Sequence, residues 1–271
     1  MADRLFILGL GYSGLEIARL AGARGFEVVG TVTTAQKAAQ LRAQGFEVLV
    51  FDGTQPVAIA ASHILCTAPA PRLPAHLGRP RWLGYLSTTG VYGDRGGRWV
   101  DEATVPTPMQ QRSADRLASE LQWQALGHKL GVPTALFRLP GIYGPGRSAI
   151  GQVRAGTARR IDKPGQFFSR IHVADIAGTV LAAMTKKAGG IYNVADDEPA
   201  STADVVAYAC ELLGVPVPTA IPWEQAAPAM TPMARSFYSE NRRVRNDKIK
   251  RELGVVLRYP TYREGLKAIA S

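Results

Sequence analysis

The chain has 271 residues, 46% hydrophobic and 20% charged, which is the composition of an ordinary globular protein with a substantial core. Its formal net charge of +10 favours anionic partners, namely a dinucleotide, a phosphorylated substrate or nucleic acid. The two cysteines, Cys66 and Cys210, are far apart in the sequence, and the four histidines lack metal-ligand spacing. Neither a disulfide framework nor a metal site is therefore expected.

The apolar segment that follows Arg4 is too short for a secretory signal, and no later segment reaches membrane-spanning length. We therefore expect a cytoplasmic protein that does not enter a membrane. The basic run between Arg235 and Arg251 is interrupted by acidic and apolar residues and contains no aromatic stacking platform. A solvated helix face is favoured there over a nucleic-acid site.

Short apolar runs alternate with helical patterns along the first half of the chain, which is typical of a parallel sheet covered by helices on both faces. The pattern predicts strands at residues 5–8, 26–32, 46–51, 64–67, 82–87 and 134–139. Helices are predicted at residues 14–24, from a capping box of Thr33 and Gln36 to Gly45, and from Thr107 to near Gly131. A helix at 175–187, a strand at 191–194 and a helix capped by Ser201 follow.

These elements predict an α/β fold, a Rossmann-type doubly wound parallel sheet with a small C-terminal substrate lobe. Residues 1–145 are expected to form the domain that contains most of this sheet. Residues 146–271 are expected to form smaller lobe segments that partly return to the sheet and are not an independent domain. The predicted assembly is a monomer or a homodimer.

Residues 9–14 have the GxGxxG pattern, and they lie between the first predicted strand and the first predicted helix. In that position Gly9 permits a tight turn, Gly11 lets a pyrophosphate approach closely, and Gly14 packs the helix against the strand. Backbone N–H groups at the start of the helix, around Tyr12 and Ser13, then bind the phosphates. Residues 1–145 are therefore expected to be the NAD(P)-binding domain. The alternative is a glycine-rich turn without a ligand.

The end of the second predicted strand should select between NAD and NADP. An NAD site has an acidic residue there that binds the ribose 2′-hydroxyl, but this chain has Thr33 and a neighbouring Lys37. Without a repelling carboxylate a 2′-phosphate is tolerated, so NADP is favoured, although no arginine is present to hold it.

Five segments resemble the extended short-chain dehydrogenase/reductases, also called NAD(P)-dependent epimerase/dehydratases, and more closely their atypical YeeZ-type branch. The segments are residues 8–14, 86–93, 137–147, 170–177 and 192–194. The resemblance implies that Asp52 contacts adenine and that Thr67 and Ala68 lie beside the cofactor. It also implies that Thr88 is the catalytic hydroxyl that hydrogen-bonds the reacting oxygen.

The family's Tyr-x-x-x-Lys motif is missing, because Arg112 stands in the tyrosine's place and Arg116 in the lysine's. A guanidinium cannot give up its proton in a protein, so arginine cannot replace the tyrosine as an acid and base. The proton could come from another direction, and the candidates for it are Tyr92, Tyr143 and His172. Alternatively, Arg112 and Arg116 bind an anionic group of the substrate or cofactor, or both simply lie on the helix surface.

The sequence therefore favours an NAD(P)-dependent oxidoreductase or epimerase-like enzyme with a remodelled acid–base site. Its substrate is expected to be a small molecule. If the arginine cluster of the C-terminal lobe faces the substrate, we expect that molecule to be anionic, such as a nucleotide-sugar. Surface arginines in a loop explain that cluster equally well. The alternative function is a non-catalytic protein that senses NADP(H) or binds a partner. The cluster consists of Arg147, Arg154, Arg159 and Arg160.

Overall fold

The computed structural model describes residues 3–51, 60–69 and 78–271. Its strands are β1 Arg4–Leu8, β2 Glu27–Val32, β3 Glu47–Val50, β4 His63–Cys66, β5 Trp82–Thr88, β6 Trp99–Val100, β7 Thr134–Leu139, β8 Gly141–Tyr143, β9 Ile161–Asp162, β10 Arg170–His172, β11 Gly190–Asn193, β12 Ile221–Pro222 and β13 Arg243–Val244. Its helices are α1 Tyr12–Ala23, α2 Ala35–Arg42, α3 Gln111–Leu130, α4 Ala149–Arg154, α5 Val173–Thr185, α6 Thr202–Leu213, α7 Trp223–Ala226, α8 Pro232–Phe237, α9 Asp247–Leu253 and α10 Tyr262–Ala270.

Seven strands form the central sheet in the order β11-β7-β5-β4-β1-β2-β3, and every neighbouring pair is parallel. This is the Rossmann-type doubly wound sheet that the sequence predicted, and all seven predicted strands belong to it. The strand order reverses between β1 and β4, and ligands of such sheets bind at that reversal, outside the carboxyl ends of the strands. The glycine-rich segment follows β1 and therefore lies at this point.

Side chains of β1 alternate between two apolar layers, because a parallel sheet is buried on both faces. Leu5 and Ile7 pack into the layer that contains α1 and α5, while Phe6 and Leu8 pack into the layer around Trp123 of α3. Of the segments after residue 145, α5 and β11 belong to these central layers. A smaller apolar cluster joins α4, α6 and α10 beside the sheet.

Four predicted helix starts differ from the structure. Helix α1 begins at Tyr12 and α5 at Val173, each two residues before the predicted start. Thr34, not Thr33, caps α2, and its side-chain oxygen accepts a hydrogen bond from the N–H of Lys37 at 3.3 Å. The long helix begins at Gln111 rather than at Thr107, because the Thr107 hydroxyl donates to the carbonyl oxygen of Tyr92 at 3.0 Å and holds that residue in the preceding loop.

The late basic run is not a helix face throughout. Residues 242–245 include strand β13, which pairs with β6, and the Arg243 guanidinium lies 5.2 Å from the Trp99 ring and 5.0 Å from the Phe167 ring. Further along, Lys250 pairs with Asp197 at 2.5 Å. None of the helices in the described part of the chain is long and apolar enough to cross a bilayer.

A buried ion pair fastens α3 to the sheet. Glu120 of α3 and Arg138 of β7 are each about 2% exposed and meet at 2.7 Å, with a second contact from the Arg138 Nε at 3.1 Å. The Ser87 hydroxyl of β5 donates to the same carboxylate at 2.5 Å. Burial alone would lower the pKa of Arg138, but its hydrogen bonds and charge contact with Glu120 raise it above the ordinary value. The pair therefore links α3, β5 and β7 directly below the end of β5.

We expect Glu120→Gln to lower the free energy of unfolding by about 3–5 kcal/mol, because it leaves the Arg138 charge buried without a counter-charge. The matched control is Glu198→Gln, which breaks the exposed pair with Arg263 and should cost about 1 kcal/mol or less. Urea unfolding measures both. Equal losses for the two variants would contradict the structural role of the buried pair.

Candidate functional site

The glycine-rich segment forms a tight turn between β1 and α1. Gly9 has a φ of +102°, a conformation that disfavours any residue with a Cβ. Its N–H donates to the Thr31 hydroxyl of β2 at 3.0 Å, and the N–H of Leu10 donates to the Thr31 carbonyl oxygen at 2.7 Å. The turn is thus fixed against the neighbouring strand.

The three glycines of the motif meet different surroundings. A Cβ on Gly14 would overlap the carbonyl oxygen of Gly9, and a Cβ on Gly9 would lie 2.9 Å from the Thr67 Oγ1. A Cβ on Gly11 would meet no protein atom within 4 Å, and Gly11 has an ordinary φ of −84°. The fold therefore needs Gly9 and Gly14, whereas the missing side chain of Gly11 leaves an open surface at the N-terminus of α1.

That surface fits a dinucleotide. Gly11 is the N-cap of the 12-residue helix α1, whose first turn contains no acidic residue. The first N–H groups of a helix lack intrahelical partners, and the positive end of the helix dipole favours phosphate. A ligand backbone can approach Gly11 closely, so the residues present match the requirements of a pyrophosphate.

The other predicted cofactor residues have different surroundings. The Thr67 hydroxyl donates to the Gly9 carbonyl oxygen, so it holds the turn. The Tyr12 hydroxyl donates to the Pro145 carbonyl oxygen at 3.0 Å, which joins the start of α1 to the loop after β8. Ser13 makes no side-chain hydrogen bond to another described residue, Ala68 packs against the apolar layer below β4, and Thr33 is exposed beyond β2. Asp52 lies outside the described residues.

A cavity of about 870 Å³ opens beyond the carboxyl ends of β5 and β7, and we call it the arginine cleft. Thr88, Gly90, Arg112 and Ser113 contribute to its lining from the side of the sheet and α3. The C-terminal lobe contributes the remaining walls, with Arg147, Arg159, Phe167, Phe168, Arg170, Met233, Phe237, Tyr238, Glu240 and Arg242 among them.

Thr88 ends β5 and caps the short 3₁₀ helix Thr89–Tyr92. Its hydroxyl oxygen accepts the N–H of Gly90 at 3.1 Å, so its proton remains available to a ligand in the arginine cleft. The Ser113 hydroxyl lies nearby, because a Cβ on Gly90 would be 2.5 Å from the Ser113 Oγ and 3.3 Å from the Thr88 Oγ1. Two hydroxyl groups therefore flank Gly90 at the floor of this cleft.

Arg112 and Arg116 have separate roles in the structure. The Arg116 guanidinium donates to the Leu86 carbonyl oxygen and lies 5.0 Å from the Tyr85 ring, so it connects α3 to β5 and does not line the arginine cleft. Arg112 is exposed at this cleft, and its guanidinium donates to the Met233 sulfur at 3.0 Å and to the Ser236 hydroxyl at 2.9 Å. Neither arginine forms an ion pair with Asp115 or Glu120.

The three alternative proton donors are turned away from the arginine cleft. Tyr92 is fully buried and its hydroxyl donates to Asn193 at 2.8 Å, while the Tyr143 hydroxyl donates to the Thr261 carbonyl oxygen at 3.3 Å. Burial raises the pKa of both tyrosines. Burial and the Arg258 charge lower the pKa of His172 to about 4, and its Nδ1 accepts the N–H of Ala174. None of the three lines this cleft.

The predicted arginine cluster divides into two pairs. Arg147 and Arg159 line the arginine cleft, whereas Arg154 and Arg160 do not; the Arg154 guanidinium donates to the Ala270 carbonyl oxygen at 2.8 Å. Among the residues that the structure describes, no carboxylate lies within 4 Å of Arg112, Arg147 or Arg159. These three cations give the cleft an uncompensated positive charge.

Several lining residues were not predicted from the sequence. Ser113 follows Arg112 on α3, and its position beside Thr88 depends on how α3 packs against the sheet. Met233 and Phe237 directly follow the proline-rich stretch 216–232, the least regular part of the sequence, and no pattern indicated a helix there. Glu240 pairs with Arg242 at 2.6 Å, a contact that the short sequence separation alone does not imply. Within residues 3–51, 60–69 and 78–271, no group of three or more His, Cys, Asp or Glu side chains is placed to hold a metal ion.

Comparison with known proteins shows the family to which the chain belongs. Residues 54–195 match the model of the NAD dependent epimerase/dehydratase family. Protein YeeZ of Escherichia coli K12 is 30% identical over 245 residues, which cover 79% of this chain and 85% of YeeZ. The chain belongs to the NAD-dependent epimerase/dehydratase family.

Solved structures share the fold. A conserved protein of unknown function from Silicibacter pomeroyi DSS is 45% identical, with a TM-score of 0.87 and coverage of 99% of this chain and 98% of that one. The human epimerase family protein SDR39U1, solved with NADPH, has a TM-score of 0.77 at 17% identity, with coverage of 98% and 99%. The second similarity is one of fold.

The glycine motif yields a matched pair of variants. We expect Gly11→Ser to keep the thermal stability, because serine is a good helix N-cap and its Cβ meets no protein atom. It should weaken NADPH binding about tenfold or more, since the new side chain fills the space that a phosphate needs. Gly9→Ser should instead lower the stability by about 1–3 kcal/mol because of its positive φ.

Thermal melts and a titration followed by nicotinamide fluorescence separate the two effects. Unchanged NADPH binding in a folded Gly11→Ser variant would contradict a phosphate site at this turn.

Proposed function

We propose that the protein is an NAD(P)H-dependent reductase that acts on a small anionic molecule bound in the arginine cleft. The main support is the floor of this cleft, where Thr88 offers a hydroxyl proton beneath arginines that have no acidic partner. The glycine turn at the end of β1 provides the phosphate-binding surface for the cofactor at the same edge of the sheet. Family membership is consistent with both features.

NADP(H) is favoured over NAD(H). Thr33, Thr34 and Lys37 follow β2, and none of them would repel a 2′-phosphate as an aspartate or glutamate would. Lys37 is exposed and makes no ion pair in the described part of the chain, so its ammonium group is available for a phosphate.

When bound, the cofactor supplies a hydride, with its two electrons, to the substrate carbon. Thr88 donates its hydroxyl proton to the substrate oxygen as a hydrogen bond, and Ser113 is placed to contribute a second one. Preorganised donors of this kind stabilise the negative charge that develops on an oxygen. A proton from water then completes the reduction, and the hydroxide left behind goes to the solvent.

We favour net reduction over epimerisation because an epimerase needs a group that takes the hydroxyl proton and later returns it, whereas in a net reduction water can supply the proton. Oxidation of an alcohol requires a group that takes the hydroxyl proton, and no histidine, lysine or cysteine of the described chain lines this cleft. Its single lining carboxylate, Glu240, is paired with Arg242. The hydroxyl of Tyr238 is directed to Thr202 at 3.3 Å.

This function is tested by mixing the protein with NADPH and a panel of candidate substrates and following the loss of nicotinamide absorbance. The panel contains carboxylate-bearing aldehydes, ketones and nucleotide-sugars. We expect turnover that is faster with NADPH than with NADH. Thr88→Val should lower kcat about 10²-fold without weakening NADPH binding, because it removes the donor to the developing charge. It also removes the acceptor of the Gly90 N–H, so a thermal melt accompanies the kinetic measurement. Thr185→Val, the same change at the exposed end of α5, serves as the control.

Tight NADPH binding without oxidation of NADPH by any member of the panel would contradict the reductase. That outcome would favour a non-catalytic sensor of NADP(H) instead. Undiminished turnover in Thr88→Val would remove Thr88 from the reaction.

A further inference from the structure

Helix α8 presents two large apolar side chains at the arginine cleft. Met233 is 62% exposed and Phe237 is 56% exposed, and both line this cleft. Their i, i+4 spacing puts them on the same side of α8. Single exposed apolar residues are common, but an adjacent pair beside a cavity indicates a surface that a ligand covers.

A cation lies directly on this apolar surface. The Arg112 guanidinium is 4.7 Å from the Phe237 ring and donates to the Met233 sulfur and the Ser236 hydroxyl. A thioether and a hydroxyl are weak, neutral acceptors, so the charge is not compensated by the protein. Arg159 lines the same cavity, also without a carboxylate within 4 Å in the described part of the chain. Charge and apolar surface therefore meet within one binding site.

We propose that the arginine cleft binds small molecules in which an apolar, aromatic body ends in one anionic group, a carboxylate or a phosphate. The body packs against Met233 and Phe237, and Arg112 and Arg159 bind the anionic group through charge-assisted hydrogen bonds. This inference rests on the proposed function, because it defines the substrate class of the same cleft.

A nucleotide-sugar fits this surface less well. Its sugar hydroxyls would lose hydration without gaining hydrogen-bond partners where they lie against Met233 and Phe237. An aromatic ring gains from the same contact, because its burial removes apolar area of both partners from water.

The test is displacement of a fluorescent aromatic sulfonate, 8-anilino-1-naphthalenesulfonate, from the protein. NADP⁺ is present at saturating concentration so that the dye cannot bind at the cofactor site beside the glycine turn. Cinnamate and phenyl phosphate should displace the dye, and the stronger of the two identifies the preferred anion. Cinnamyl alcohol, which has a similar shape but no charge, should displace it only at much higher concentration. UDP-glucose should displace the dye less effectively than cinnamate or phenyl phosphate.

Matched variants assign the binding to particular residues. The double variant Arg112→Gln/Arg159→Gln should weaken binding of the preferred anion about 10- to 100-fold. The control is Arg154→Gln/Arg24→Gln, which also removes two charges; Arg24 is the exposed C-cap of α1, and neither residue lines the arginine cleft. It should leave binding within about twofold of the original, since long-range charge effects are screened. Phe237→Ala should weaken the aromatic anions about tenfold but not inorganic phosphate.

Failure of cinnamate and phenyl phosphate to bind, stronger binding of UDP-glucose, or equal binding of cinnamyl alcohol would overturn the proposal. So would equal losses in the two double variants. These outcomes are distinguishable from failure of the reductase, because NADPH oxidation can be absent while the dye is displaced as expected, and the reverse can also occur.

Discussion

The Glu120–Arg138 ion pair determines how α3 sits on the sheet, and the geometry of the site depends on it. The pair is buried between α3 and β7, and the Ser87 hydroxyl joins it from the residue before Thr88. A buried pair of this kind holds only one arrangement well, because any displacement leaves a charge without its partner in a poorly solvating interior. The start of α3 is therefore fixed relative to the end of β5.

Because of this placement, Arg112, Ser113 and Arg116 of α3 contact different parts of the structure. Arg116 is directed to the sheet and connects to the Leu86 carbonyl oxygen, whereas Arg112, one turn earlier, reaches α8 across the arginine cleft. Ser113 lies between these directions and comes close to Thr88. Arg116 is therefore a packing contact between α3 and β5, whereas Arg112 is a cation that lines the arginine cleft. The hydroxyl groups of Thr88 and Ser113 lie together at the floor of the arginine cleft.

The sequence predicted the sheet well because its strands are buried on both faces and appear as continuous apolar runs between helical patterns. It predicted the glycine turn for a similar reason, since the requirements of Gly9 and Gly14 are local. The start of α3 was missed because a contact from Thr107 to Tyr92, 15 residues earlier, holds the loop open. Proline at the first turn of a helix is common, so nothing in the local sequence excluded that start.

The walls of the site were harder to predict. Arg147 and Arg159 belong to it while Arg154 and Arg160 do not, and the four look alike in the sequence. Their separation depends on the path of the chain between β8 and β9. Met233 and Phe237 come from a region without periodicity, and their role follows only from the cavity that α8 faces. Side chains of this kind are positioned by contacts between distant segments, which composition and spacing do not encode.

A crystal structure of the protein with NADP⁺ tests the central claim most directly. The account predicts the pyrophosphate on the backbone N–H groups at the start of α1, with the nicotinamide ring beside Thr88 at the floor of the arginine cleft. A cofactor bound with its nicotinamide directed away from Thr88, or no cofactor at the glycine turn at saturating concentration, would contradict it.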